Sequence, residues 1–165
     1  MKRPTKSRLH SLSRWALAAA VGAGLAAVVH AHGDVTPQAV DTSSLPKLGE
    51  KWLPSNPYTP DVPEYKEALR IGTSAYNQNC ARCHGLEAIS GGISPDLRKF
   101  DQECSGLSDA GKKKECFKEM DEYYMATVRR GRVRDGRVYM PPFEGTLSQE
   151  AIWTIKTYID TRREP

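Results

Sequence analysis

Residues 80–84 read Cys-Ala-Arg-Cys-His, and this pentad limits the possible folds more than any other feature of the chain. Its two thiols are spaced to add across the two vinyl groups of one haem, and the adjacent histidine then lies where it can ligate the iron. A Cys-x-x-Cys pair without that histidine would indicate a redox dithiol or half of a zinc site, and the sequence contains no second zinc half-site. The pentad therefore predicts one covalent haem c, attached through Cys80 and Cys83, with His84 as an iron ligand.

The N-terminal segment has the three parts of a secretory signal peptide. Residues 1–14 are basic without an acid, residues 15–29 are apolar, and Val29-His30-Ala31 has the small-x-small pattern of a cleavage site. A membrane-spanning helix needs about 20 apolar residues, so this shorter run does not favour a permanent membrane anchor. We therefore expect export to the periplasm and cleavage after Ala31.

Removal of the signal peptide changes the charge of the protein. The full chain of 165 residues has 24 basic and 20 acidic residues, a net charge of +4. Residues 1–31 contain five of the basic residues and none of the acidic ones, so the mature chain carries −1. The basic precursor therefore does not predict a nucleic-acid partner. The remaining 134 residues suit one domain, and we expect a monomer.

The mature chain divides by composition into two segments. Residues 32–61 are rich in Pro, Gly, Ser and Asp, which predicts an extended N-terminal arm. Trp52 and Leu53 are the expected points of attachment, because an aromatic side chain needs a place to bury its area. Residues 62–165 are predicted to form the haem domain.

The haem domain is predicted to begin with a helix. Asp61 and Glu64 match a capping box, and apolar residues recur at three- and four-residue steps from Val62 to Cys80. A glycine inside a helix costs about 1 kcal/mol relative to alanine, so Gly72 favours a close crossing by a second helix at that point.

The C-terminal segment supplies this second helix. Ser148 is placed to cap it, and an apolar stripe follows. We predict that Tyr158 packs near Gly72 and Tyr76. Residues 108–130 are also helical in character, whereas residues 85–99 and 131–147 have the glycines and prolines of loops, and no run has a convincing strand period. The predicted fold class is all-α, with three to five helices around the haem.

The second iron ligand must come from a distant part of the chain. Met140 is favoured because the two prolines that follow stiffen its loop. Met120 and Met125 lie in a helical pattern, where packing is their ordinary role, and His32 is the second histidine of the mature chain; these alternatives stay open. His84 with Met140 raises the potential relative to bis-histidine haem and leaves no open position on the iron.

Several further side chains are candidates for contacts around the haem. Pro95 is a candidate to accept a hydrogen bond from His84 through its carbonyl, although an ordinary loop proline is an equal interpretation. Trp52, Arg98 and Arg137 are possible partners of the haem propionates.

Two other features lie outside the haem motifs. Cys104 and Cys116 are predicted to form a disulfide in an exported protein, with a regulatory dithiol as the alternative. A basic cluster precedes Met140 and indicates either a solvated face or a docking ring that attracts an oppositely charged partner. The cluster consists of Arg129, Arg130, Arg132, Arg134 and Arg137.

The order and spacing of these motifs resemble the class I (mitochondrial-type, monohaem) cytochromes c. The resemblance covers residues 62–162 and implies the helical fold, covalent haem c and electron transfer without catalysis. The residues that carry it are Gly72-x-x-x-Tyr76-x-x-x-Cys80, the pentad, Pro95-Asp96-Leu97, Met140-Pro-Pro and Trp153…Tyr158-Ile159.

The stretch His32-Gly-Asp-Val-Thr-Pro-Gln-Ala-Val-Asp41 and the Cys104…Cys116 insertion are similar to the PedF/ExaB-type periplasmic cytochromes of quinoprotein alcohol dehydrogenase systems. This resemblance implies electrons accepted from a pyrroloquinoline-quinone (PQQ) alcohol dehydrogenase, such as an ethanol dehydrogenase, and passed to a terminal oxidase or another cytochrome. Residues 100–118 depart from the compact class I pattern, so no binding residue is assigned there.

Two other classes of function compete with an electron carrier. A peroxidase-like haem enzyme or sensor would have a displaceable sixth ligand on the iron. A metal-binding module would chelate copper through His32, but a second histidine for a tight site is missing.

Overall fold

A computed structural model of the chain describes residues 36–92 and 94–164. The predicted signal peptide, its cleavage site at Ala31 and residue His32 lie outside the described residues. No helix in the described ranges is long and apolar enough to cross a membrane. The elements are α1 (Tyr65–Asn79), α2 (Ala81–His84), α3 (Gln102–Ser105), α4 (Ala110–Arg130), β1 (Arg132–Arg134), β2 (Arg137–Met140) and α5 (Gln149–Asp160), with short 3₁₀ turns at Leu86–Ala88 and Leu97–Lys99.

The predicted crossing of the first and last helices is present. A Cβ atom on Gly72 would lie 1.9 Å from the carbonyl oxygen of Thr154, so the backbones of α1 and α5 are in direct contact there. The rings of Tyr76 and Tyr158 lie 4.9 Å apart beside the crossing. Ser148 caps α5 as predicted, because its hydroxyl accepts a hydrogen bond from the Ala151 amide at 3.2 Å. This crossing forms the centre of the core.

The predicted start of α1 was wrong. The helix begins at Tyr65, and neither Asp61 nor Glu64 makes the expected side-chain cap. The preceding backbone forms two turns instead, in which the amides of Val62 and Tyr65 donate to the carbonyls of Thr59 and Val62. These turns occupy the residues that the predicted first turn of the helix would have used.

The all-α class is confirmed, but the loop predicted over residues 131–147 contains a small β-hairpin. Val133 on β1 pairs with Val138 on β2, and Asp135-Gly136 forms the turn with φ of 51° and 72°. Two positive φ values define a type I′ turn, for which Asp-Gly is a favoured pair. The strands were missed because nearly every residue in them is exposed, so no alternation of apolar and polar residues marks them.

Helix α4 and the disulfide are as predicted. The Asp109 carboxylate caps α4 by accepting from the Lys112 amide at 2.8 Å. Cys104 on α3 and Cys116 on α4 form a disulfide with their Cα atoms 5.5 Å apart. The bond ties the short helix α3 to the N-terminal half of α4.

The described part of the arm, residues 36–61, contains no helix or strand. Two buried polar side chains at the start of α5 hold it. Glu150 accepts from the Leu48 amide at 2.8 Å, and Gln149 accepts from the Leu53 amide at 2.7 Å. Trp52 and Leu53 pack against the core, as expected for the attachment points of the arm.

Candidate haem-binding site

One cavity of about 380 Å³ brings together the four residues predicted to hold a haem, which are Cys80, Cys83, His84 and Met140. Two thiols, an imidazole and a thioether are the donor set of a His/Met haem c, and the surrounding apolar wall suits a porphyrin. The donor set therefore fits the predicted cofactor. The apolar wall includes Leu97, Phe100, Val128, Phe143, Leu147 and Ile155.

The pentad continues directly from the core helix α1. The Cys80 amide donates to the Tyr76 carbonyl at 2.8 Å, and the amides of Cys83 and His84 donate to the Cys80 carbonyl at 3.1 and 2.9 Å. This helical turn places the two thiols on one face, since residues three apart are neighbours on a helix. The crossing of α1 on α5 thus fixes the position of both cysteines.

The backbone after His84 requires a glycine. Gly85 has a φ of 78°, and a Cβ atom there would lie 1.9 Å from the Ile89 carbonyl oxygen. Its carbonyl accepts a hydrogen bond of 2.9 Å from the hydroxyl of Tyr76. The chain can therefore turn sharply beneath the imidazole while remaining tied to α1.

The protonation of Cys80 opposes a redox role for the two cysteines. Burial raises the pKa of Cys80 to about 12, and the neighbouring Cys83 adds to this effect. Redox dithiols require the opposite shift, because the thiolate is the reactive form. Cys80 is therefore not poised for thiol exchange.

His84 is held in the orientation that a metal ligand needs. Its Nδ1 lies 3.0 Å from the Pro95 carbonyl oxygen, so the predicted hydrogen bond is present. When Nδ1–H donates to this carbonyl, Nε2 carries the free lone pair. Burial lowers the pKa of His84, although the hydrogen bond to Pro95 opposes this shift. The imidazole is therefore neutral near pH 7.

Met140 ends β2, and the next backbone segment rests on Gly131. Gly131 follows α4 with a φ of 68°, and a Cβ atom there would lie 2.3 Å from the Met140 carbonyl oxygen and 2.7 Å from the Pro142 nitrogen. Only glycine fits this close approach. The sequence marked Gly131 merely as a loop residue, although a glycine directly after a helix is a common C-terminal signal.

The other methionines do not reach the cavity. Met125 is buried in the core, and Met120 is partly buried on the same helix. Neither residue lines the cavity that contains Met140. Helix α4 thus uses both of its methionines for packing, which was the ordinary role weighed for them.

None of the three possible propionate partners lines the described cavity, and their contact with a propionate stays a prediction. Trp52 packs beneath the guanidinium of Arg129 at 4.0 Å, and Arg98 forms an ion pair with Asp96 at 2.6 Å. Arg137 is exposed on β2. The Trp52–Arg129 contact joins segments far apart in the sequence, so local spacing rules could not reveal it.

Arg132 is the arginine that lines the cavity. Its guanidinium lies 4.9 Å from the ring centroid of Tyr123 and donates to the Thr127 hydroxyl at 2.7 Å. Tyr123 and Thr127 belong to the same wall, so a positive charge is fixed at the edge of an apolar cavity. An anionic group at that edge would be stabilised by this charge.

A buried network of charges lies behind Phe100, one of the wall residues. The Lys156 side chain, 1% exposed, contacts the carboxylates of Asp101, Asp121 and Asp160. Its ammonium lies 5.8 Å from the Phe100 ring centroid. The arrangement places charged groups under the cavity but separates them from it by an aromatic ring.

Comparisons with known proteins agree with this site. The family model described as cytochrome c oxidase, cbb3-type, subunit III matches residues 67–159, more than half of the chain. Cytochrome c550 of Pseudomonas aeruginosa is 47% identical over 140 residues, which cover 85% of this chain and 87% of that protein. The chain therefore belongs to the cytochrome c family and has its class I fold. It binds haem c covalently and is an electron-transfer protein rather than an enzyme.

Two quinohemoprotein alcohol dehydrogenases of Pseudomonas putida are also similar. ADH-IIG is 28% identical over 109 residues, which cover 66% of this chain and 12% of that enzyme. ADH IIB is 32% identical over 96 residues, which cover 58% of this chain and 11% of that enzyme. No solved structure matches the chain.

Proposed function

We propose that this cytochrome c carries electrons in the periplasm from a PQQ-dependent alcohol dehydrogenase to a terminal oxidase or another cytochrome. The haem would be attached through Cys80 and Cys83 and ligated by His84 and Met140. The observation that carries this assignment is the meeting of these four side chains in one apolar cavity. When bound, the haem supplies a one-electron couple between ferric and ferrous iron.

The residues of the chain have distinct tasks in this proposal. His84 would hold the iron through Nε2 and is oriented by Pro95, and Met140 would add a soft thioether that favours the ferrous state. The apolar wall would limit the access of water to the bound haem. With His84 and Met140 both holding the iron, no position would remain for oxygen or peroxide.

Replacement of Met140 tests the ligand assignment. Met140→Ala is expected to remove the weak far-red band of the ferric protein, which reports an iron–methionine bond, and to permit rapid binding of carbon monoxide. Met125→Leu is the matched control, because Met125 lies in the core and should leave both signals unchanged. A wild-type protein that already binds carbon monoxide readily at neutral pH would favour the haem enzyme or sensor with a displaceable ligand.

The donor is inferred from the quinohemoprotein alcohol dehydrogenases. The word quinohemoprotein says that each of these enzymes has both a quinone and a haem. The stretch that is similar to this chain is a small part of each enzyme. We infer that this stretch is their haem domain, which receives electrons from the quinone. We propose that this chain receives the electron from such an enzyme as a separate partner protein.

The hairpin beside the cavity supports docking to an acidic protein surface. Val133 and Val138 are 67% and 64% exposed and pair across the strands, although apolar side chains of this size are usually covered. Arg134 and Arg137 form the next cross-strand pair, beside the two valines and towards the turn. Tyr139 of the hairpin lines the cavity, so a partner on this surface would approach the haem edge.

The partner assignment is tested by stopped-flow mixing of the ferric cytochrome with a purified PQQ alcohol dehydrogenase and ethanol. Haem reduction is expected, and Arg134→Gln/Arg137→Gln is expected to slow it about tenfold at low salt. Lys112→Gln/Lys114→Gln is the matched control, because these exposed lysines lie at the start of α4. Absence of reduction would contradict the donor, and a rate unaffected by the arginine changes would contradict the docking surface.

The cellular location is tested by the mass of the protein purified from the periplasm. The proposal expects residues 32–165 plus one haem, with two hydrogens fewer because of the disulfide. A retained N-terminal segment, or recovery of the protein only from the cytoplasm, would contradict it.

A further inference from the structure

The arm and the Met140 loop both contact Arg129 in the last turn of α4. The guanidinium of Arg129 stacks over the Trp52 ring at 4.0 Å, and its Nη2 lies 2.6 Å from the Glu144 carboxylate. Its side chain is only 20% exposed, whereas the neighbouring Arg130 is exposed to solvent. Arg129 therefore joins a residue of the arm to a residue of the loop that follows Met140.

The loop after Met140 depends on this turn of α4 for its backbone hydrogen bonds. Pro141 and Pro142 have no amide hydrogen, so Phe143 and Glu144 supply the first backbone donors after the methionine. Their amides donate to the carbonyls of Val128 and Arg129 at 3.1 and 3.2 Å. Glu144 is thus bound to Arg129 through both its backbone and its side chain.

The position of Trp52 is set from α5. Gln149 is 5% exposed, and its side chain accepts from the Leu53 amide and donates to the Lys51 and Gly49 carbonyls, each at 3.2 Å. The backbone is therefore held on both sides of the indole, which fixes Trp52 over Arg129 instead of leaving it on a free arm.

The strand that carries Met140 has weak support of its own. Within residues 36–92 and 94–164 it pairs only with β1, in a two-stranded hairpin whose side chains are mostly exposed. Isolated hairpins of this kind are marginally stable in water, so the cavity-facing end of β2 needs a further anchor. The contacts of Arg129 lie directly beyond that end.

We infer that Trp52, Arg129 and Gln149 are positioning residues that hold the Met140 thioether at the iron. The arm, in this inference, controls exchange of the sixth ligand rather than only covering the domain. The inference rests on the proposed ligand role of Met140.

The test compares Trp52→Ala and Arg129→Ala in the holoprotein with Arg130→Ala as the matched control. Both changes are expected to weaken the far-red ferric band and to increase the rate of carbon monoxide binding to the ferrous protein about tenfold, whereas Arg130→Ala leaves both at the wild-type value. Arg129→Lys is expected to rescue only in part, because lysine keeps the charge but not the planar stacking. The double variant Trp52→Ala/Arg129→Ala should match Arg129→Ala, since the two side chains act through one contact.

Glu144→Gln provides a milder second variant if either alanine variant fails to fold. It removes only the ion pair and is expected to increase the carbon monoxide rate about threefold. Wild-type rates in Trp52→Ala, Arg129→Ala and Glu144→Gln, together with a raised rate in Met140→Ala, would overturn the inference and leave the proposed function intact. Wild-type behaviour of Met140→Ala would instead overturn the ligand assignment.

Discussion

The two sides of the haem cavity are built in different ways. On the histidine side, α1 continues through Cys80 into α2, which carries His84, and the close backbone contact at Gly72 anchors α1 to α5. On the methionine side, Met140 ends an exposed hairpin, and segments from the arm, α4 and the following loop hold it in place.

The difference concerns how far apart in sequence the supporting residues lie. The histidine side is mostly local, and a tightly packed helix crossing, with the Tyr76 ring against that of Tyr158 beside it, ties it to α5. The methionine side joins Trp52 to Arg129 and Glu144 through side chains that are partly solvated. Local opening costs least where few buried contacts resist it, so the methionine side should open first.

The largest effect is expected from a change on the histidine side. In Gly72→Ala, the added Cβ would lie 1.9 Å from the Thr154 carbonyl oxygen, so α1 and α5 must separate. We expect a loss of about 3 kcal/mol or more in the free energy of unfolding and reduced haem incorporation. Denaturant unfolding and haem content measure these effects, and Gly91→Ala, which would meet no atom within 4 Å and, like Gly72, does not have a positive φ, controls for glycine replacement as such. Normal stability of Gly72→Ala would contradict the close crossing.

Removal of the disulfide is expected to lower the stability of the protein as a whole. It should not affect the histidine side or the methionine side of the cavity selectively. Cys104→Ser/Cys116→Ser opens a short loop that joins α3 to α4, at a cost of about 2–3 kcal/mol. Because neither cysteine lines the cavity, the far-red band should persist at temperatures where the protein remains folded. Loss of the band in the folded variant would show that the methionine side depends on the disulfide between α3 and α4.

A smaller effect, confined to the methionine side, is expected for Gly131→Ala. The added Cβ would lie 2.3 Å from the Met140 carbonyl oxygen, and the residue would keep an unfavourable φ of 68°. We expect a loss of about 2 kcal/mol, together with loss of the far-red band while the haem stays attached. Absorption spectra and haem staining after denaturation separate these outcomes. Retention of the band would mean that the loop does not rest on Gly131.

The smallest expected effect is a pH dependence of the stability of the protein. It arises at Asp101, whose carboxylate contacts Lys156 on α5. Burial alone would raise the pKa of Asp101, but hydrogen bonds from Arg163 and the charge of Lys156 outweigh it and lower the pKa. Below about pH 4, the usual value for an aspartate, the unfolded chain binds more protons than the folded protein. The contribution of Asp101 to the free energy of unfolding is therefore complete above that pH. It is lost as the pH falls through the pKa that Asp101 has in the folded protein.

Asp160 complicates the acid range because burial raises its pKa, which acts in the opposite direction. Comparison of the wild type with Asp101→Asn isolates the contribution of Asp101, and Asp61→Asn serves as an exposed control. We expect Asp101→Asn to lose less stability on acidification than the wild type does. Parallel pH profiles of the two proteins would contradict the prediction.

The parts of the fold that sequence predicted are those with local spacing rules. The pentad, the Ser148 cap and the crossing at Gly72 each depend on residue type at fixed intervals along a helix. Pro95 was a weaker prediction, and its contact with His84 depends on the length of the intervening loop.

The parts that sequence missed depend on tertiary packing. The hairpin carries no buried face, so its only signal was the Asp135-Gly136 turn. Arg129 stood in a cluster of similar arginines, and nothing in their spacing distinguished the one that stacks on Trp52. Only the positions of the arm and the loop show which arginine of that cluster is packed against other residues and which are exposed.

The two prolines after Met140 have a consequence for hydrogen–deuterium exchange. No exchangeable amide exists at either proline, so Phe143 is the first backbone reporter beyond the methionine, and its amide is protected by the Val128 carbonyl. Exchange at this amide therefore measures how often the loop lifts away, whichever oxidation state the iron has. A single resolved resonance would then give the opening equilibrium of the sixth-ligand side without any optical signal from the porphyrin.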